Sequence, residues 1–199
     1  MKIHSFVTLA LPLALAAAAS QARAQDPPAG FVVRYDTTID APPARVYEAL
    51  VRDIGTWWDP EHTFSGDSRN LSLDARPGGC LCETLPGGGG VEHLRVVYAD
   101  PGRVLRLSGA LGPLQGSALV GTLTWTFSEA EGGTHLRMTY AVGGFMEGGL
   151  EGIAPAVEVV LTGQMRRLGR YVETGEPEGP PPGGWPDGDS PSRSPRRTL

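Results

Sequence analysis

What most constrains the fold is a change of hydrophobic period along the chain. Between Asn70 and Val142 the sequence breaks into six short runs rich in β-branched and aromatic residues: Asn70 to Ala75, Cys80 to Leu85, Val91 to Ala99, Val104 to Gly109, Leu119 to Ser128 and Thr134 to Val142. Turns at Pro77-Gly78-Gly79, Pro86 to Gly90, Asp100-Pro101-Gly102 and Glu131-Gly132-Gly133 separate most of them, which predicts an antiparallel meander. In the last two runs alternation gives one apolar and one wet face. Leu123, Trp125 and Phe127, like Leu136, Met138 and Tyr140, oppose threonines and the polar His135 and Arg137. From Pro155 to Glu173 the period lengthens to that of a helix, with Val157, Leu161, Met165, Leu168 and Val172 in one stripe and Arg166, Arg167 and Arg170 off it. A long C-terminal helix must therefore lie against the apolar sheet face.

Two elements precede the meander. Phe31 to Ile39 reads as a first strand, and Asp40-Ala41-Pro42-Pro43 opens a helix, because proline is tolerated where a first-turn N–H has no partner. Val46, Leu50 and Ile54 give this helix its buried face, and Gly55 is expected to end it. Thr56 to Gly66 reads as a short helical turn and a loop.

The ends of the chain are different in kind. Residues 1 to 24 combine a basic start at Lys2, an apolar run from Phe6 to Ala19, and Ala22-Arg23-Ala24 as a small-x-small cleavage site, the pattern of a secretory signal peptide. The apolar run is shorter than the roughly 20 residues that span a bilayer, so no membrane span is expected once the leader is removed. Residues 25 to 30 read as a linker, 31 to 175 as one domain, and 176 to 199, with seven prolines and Trp185 as sole aromatic, as a disordered tail. The expected location is the periplasm or the exterior.

Composition removes several chemistries. Lys2 is the only lysine, so the mature chain has none for a Schiff base or for a P-loop. After loss of Lys2 and Arg23, 15 basic residues face 22 acidic ones, a balance that disfavours nucleic acid as a partner. No G-x-S-x-G elbow, H-E-x-x-H motif or dinucleotide fingerprint is present, and no cofactor is implied.

The order strand, helix, short helix, six strands, long helix is that of the helix-grip fold, an α+β architecture in which a curved antiparallel sheet of about seven strands wraps the last helix. Ile39-Asp40-Ala41-Pro42 with Val46-Tyr47 and Ala49-Leu50, then Trp57-Trp58, resembles the opening of the SRPBCC (START-like) superfamily, in particular its polyketide cyclase/dehydrase and heat-shock-ATPase-activator-like subgroups. Pro77-Gly78-Gly79, Val97 to Leu107 and Gly133-Thr134-His135-Leu136 continue the likeness. The resemblance implies a cavity between sheet and helix for an apolar small molecule. On that view Trp57, Trp58, Leu94, Tyr98, Trp125, Phe127, Met138, Tyr140, Leu161 and Met165 are the candidate ligand-binding residues, with Trp58 and Tyr98 or Tyr140 supplying polar tips.

Three residues are candidates for proton transfer: Glu83, Glu92 and His93. Strict alternation puts Glu83 on one face with Leu81 and Leu85, and Glu92 with Leu94, Val96 and Tyr98; either carboxyl, if buried on the cavity face, would have a raised pKa. The alternative is pairing with Arg95, Arg106 or Arg137. Cys80-Leu81-Cys82 stays open between two thiols, a strained bridge and a weak soft-metal site with His93 or His62. In an extended strand the two α-carbons stand about 6.6 Å apart, so a bridge needs a bulge. The expected function is that of an exported protein holding an apolar ligand, lipid-like, polyketide-like or aromatic. A cyclase/dehydrase-type enzyme and an interaction module with a filled cavity are the alternatives.

Overall fold

The structure, a computed structural model, describes residues 30–179. The segment expected to be a signal peptide, nearly all of the expected linker, and the expected tail beyond Gly179 lie outside the described residues. Seven strands form one antiparallel sheet: β1 (Gly30–Ile39), β2 (Leu71–Leu73), β3 (Cys80–Thr84), β4 (Gly90–Asp100), β5 (Val104–Ser108), β6 (Ala118–Ala130) and β7 (Gly133–Phe145). Their order is β1-β7-β6-β5-β4-β3-β2, so the meander runs unbroken from β2 to β7 and the first strand closes beside the last. Helices α1 (Pro43–Arg52) and α2 (Ile54–Trp57) follow β1, and α3 (Ala154–Thr174) packs against β1, α1 and α2. This curved sheet gripping a long C-terminal helix is the helix-grip fold.

The core lies where the period argument puts it. Leu123, Trp125, Phe127, Leu136, Met138 and Tyr140 are all buried and meet Leu161, Met165 and Leu168 of α3 in one cluster. Burying a large apolar side chain contributes about 2 kcal/mol, so this sheet–helix seam holds much of the fold's stability. The β6–β7 turn needs its glycines: Gly133 has φ +147°, and a Cβ there would stand 2.1 Å from the Ile39 carbonyl oxygen. Gly175 closes α3 in the left-handed conformation, donating its N–H to the Tyr171 carbonyl.

One boundary differs from expectation. α1 ends at Arg52, and Ile54 begins α2 instead of extending the α1 face. Gly55 lies inside α2, and its role is packing: a Cβ would come 3.0 Å from the Ser68 carbonyl oxygen of the turn Ser68–Asn70.

Candidate functional site

Period-two alternation fails twice in β4, and both failures shape the site. Leu81 pairs with Leu94 but Cys82 pairs with Glu92, so His93 is an extra residue in β4. Such a bulge turns two consecutive side chains to one face. His93 and Leu94 are accordingly both buried, while Glu92 faces solvent in an ion pair with Arg95. A second slip, between Val96 and Tyr98 against β5, leaves Val97 and Tyr98 both exposed. The expectation that Glu92 and Tyr98 share the inner face with Leu94 and Val96 is thereby corrected. Tyr98 instead lies under the Arg106 guanidinium on the outer surface.

On β3, Leu81 and Glu83 point inward and the cysteines outward. Cys80 and Cys82 form a disulfide with α-carbons 5.4 Å apart, closer than an extended strand allows, opposite the bulge. Bonded to each other, they are not a thiol metal site, and among the described residues no group of three or more His, Cys, Asp or Glu converges.

Glu83 is the centre of a small polar cluster. Its side chain is fully buried; Oε1 accepts from the Ser65 amide, and Oε2 accepts from the Phe64 amide at 3.1 Å and lies 2.9 Å from His93 Nε2. Burial pushes the carboxyl pKa up, but hydrogen bonds from Ser65, His93 and Phe64 outweigh it and hold the group below its ordinary 4.5. The expected raised value is corrected: Glu83 is ionised, and it serves as an acceptor.

The cluster borders a cavity of about 400 Å³ between the N-terminal half of α3 and the β3–β4 end of the sheet. Leu71 and Leu81 of the sheet, Ile153, Val157, Val160 and Leu161 of the helix region, Phe64, and Leu111, Pro113 and Leu114 make its apolar walls. Trp58, Glu61, His62, Thr63 and His93, with Gly112 and Ala156, complete it. The loops are tied down. The Trp58 indole N–H donates to the His62 carbonyl, Asp59 N–H donates to buried Gln164, and Arg167 Nε donates to the Trp57 carbonyl. Leu111 N–H donates to the Tyr140 hydroxyl, which itself donates to the Gly109 carbonyl. Burial raises the Tyr140 pKa, so that hydroxyl stays protonated.

Of the candidates from sequence, Trp58, Leu161 and His93 border this cavity, and Glu83 stands directly behind His93. Trp57, Leu94, Trp125, Phe127, Met138, Tyr140 and Met165 are buried in the main core and do not line it, although Tyr140 holds the Leu111 wall from behind. They fill the space that the apolar sheet face would otherwise leave open: Trp125 Nε1 points to Met165 Sδ at 3.3 Å, and Trp57 Nε1 donates to the Ala49 carbonyl. The walls from Phe64, Leu111 and Leu114 come from loops and the short 3-10 turn Gly112–Gly116, whose sequence has no period to read.

A family model described as "Polyketide cyclase / dehydrase and lipid transport" matches residues 31–173. The chain belongs to this family. Solved structures similar to this cyclase/dehydrase-family protein include CV1439 from Chromobacterium violaceum, 21% identical with a TM-score of 0.51, covering 71% of this chain and 96% of that one. MLL2253 from Mesorhizobium loti is 18% identical with a TM-score of 0.53, over 71% of this chain and 96% of that one. DynU16, from the dynemicin biosynthetic locus, is 21% identical with a TM-score of 0.50, over 73% of this chain and 48% of that one. At these identities the likeness is one of fold. No curated protein matches the cyclase/dehydrase-family chain in sequence. No helix among the described residues is long and apolar enough to cross a membrane.

Proposed function

We propose that this protein is exported and holds an apolar small molecule in the cavity under the N-terminal half of α3. The observation that carries the reading is the cavity itself, about 400 Å³ with mostly aliphatic and aromatic walls, in the range where small ligands are enclosed. Membership of a family described by cyclase, dehydrase and lipid-transport activities supports a ligand of that chemical character. The leader pattern of residues 1 to 24 supports export.

A second reading, in which the bound molecule is also transformed, draws on one observation. The buried Glu83–His93 pair has the form of an oriented imidazole beside an apolar cavity, as acid–base catalysis requires. Turnover of the bound compound, abolished in His93→Gln with binding retained, would favour it.

The test is to recover the protein from the exported fraction and compare native with denatured mass. An excess mass lost on denaturation and extractable as an organic compound is the expected result, with a chain mass beginning at Gln25. Absence of any excess mass together with failure to take up naphthalene-type fluorescent probes would overturn the reading.

A further inference from the structure

His93 Nδ1 is the sole buried side-chain nitrogen or oxygen among the described residues without a hydrogen-bond partner. Its chemical state follows from its neighbour. The ionised Glu83 carboxylate can only accept, so Nε2 at 2.9 Å is the protonated nitrogen, and the imidazole tautomer this fixes carries its lone pair on Nδ1. Buried polar atoms are almost always paired, and an unpaired one calls for a specific reason. Other polar tips bordering the cavity are engaged: the Trp58 indole N–H donates to the His62 carbonyl and the Thr63 hydroxyl to the Pro60 carbonyl. Glu61 and His62 are the remaining titratable groups on the wall, both in the turn Pro60–His62. The Phe64 ring stacks nearly parallel on His93, 5.8 Å between centroids, and keeps the imidazole in place.

We infer that Nδ1 of His93 accepts a hydrogen bond from a hydroxyl on the bound molecule. The ligand class is an apolar compound bearing one phenolic, enolic or alcoholic O–H, and Glu83 is a positioning residue that fixes the tautomer. A carboxylate ligand is disfavoured, since it would bring a second acceptor and a negative charge toward Nδ1 and the Glu83 charge behind it. The inference rests on the small-molecule reading of the cavity.

Three probes of nearly one shape test it on the full-length mature protein: 2-naphthol, 2-methylnaphthalene and 2-naphthoate. One hydrogen bond in place of an unmet acceptor predicts 2-naphthol binding about tenfold tighter than 2-methylnaphthalene, with 2-naphthoate weakest. His93→Phe should erase the naphthol preference, read as the ratio of the 2-naphthol to the 2-methylnaphthalene affinity. Glu83→Gln, which offers an amide donor to Nε2 and releases the tautomer, should reduce the preference. A measurement on the unsubstituted chain guards against variants that fail to fold: the ¹⁵N resonance of His93 Nδ1 should move on adding 2-naphthol and stay in place with 2-methylnaphthalene. Equal affinity for the two, or a naphthol preference that survives His93→Phe, would overturn the hydroxyl subsite and leave the cavity reading standing. No binding of any probe would overturn the cavity reading and the inference with it.

Discussion

Replacing Glu83 by glutamine isolates the anchor of the site. Its carboxylate accepts from two backbone amides, Phe64 and Ser65, and from the His93 ring, with no exposed side-chain surface. Glutamine has one acceptor oxygen, so at least one buried N–H faces an NH2 group and the surviving bonds lose charge assistance. One orphaned donor plus two weakened bonds puts the loss at about 3 kcal/mol at neutral pH. The pH dependence has a definite sign. Because the folded pKa of Glu83 lies below its ordinary 4.5, its contribution is fully present above that value and is lost as pH falls through the folded value. Urea unfolding of both chains at pH 7 and at steps below 4.5 should therefore show a gap that narrows on acidification. A gap under about 1 kcal/mol at pH 7, within the reach of an ordinary neutral hydrogen bond, or one that widens in acid, would refute the assignment of Glu83 as a buried ionised anchor.

Tyr140→Phe leaves the Leu111 amide and the Gly109 carbonyl without their bridging hydroxyl, and should cost about 2 kcal/mol in urea unfolding while weakening probe binding at the adjacent cavity rim. Gly121→Ala would set a Cβ 2.5 Å from the Tyr140 ring and 2.6 Å from the Gly109 carbonyl oxygen; a loss of about 2 kcal/mol or more is expected, read as a lowered Tm. Tyr98→Ala, on the outer face, should leave probe affinity within about twofold, and a tenfold loss by fluorescence titration would contradict its placement outside the cavity.

Regular periodicity made the fold legible. The β6 and β7 alternation and the α3 stripe identify the sheet face and the helix that covers it, because each side chain's direction there follows from its parity or its turn. The same rule misplaced Glu92 and Tyr98, since parity carries across a strand only while no residue is added. Nothing in Gly90–Asp100 marks the two slips: both depend on partners supplied by β3 and β5. Cys80-Leu81-Cys82 held a partial signal, because a bridge between residues two apart requires a departure from extended geometry. The aromatic residues drew the candidate site toward the centre of the sheet, where close packing consumes them. The cavity sits instead among loops and the first turns of α3, where burial is decided by distant contacts.

The crosslink on β3 and the added residue in β4 also set a mismatch of contour length between two neighbouring strands. β3 is drawn short, its α-carbons at the bridge 5.4 Å apart, at the step where β4 runs long by one. Hydrogen-bonded ribbons of unequal length coil, as a strip of two metals does, and a bulge adds twist to the strand that bears it. Substituting His93 therefore tests a side chain, whereas deleting it equalises the ribbons, straightens this end of the sheet and removes the recess together with its imidazole.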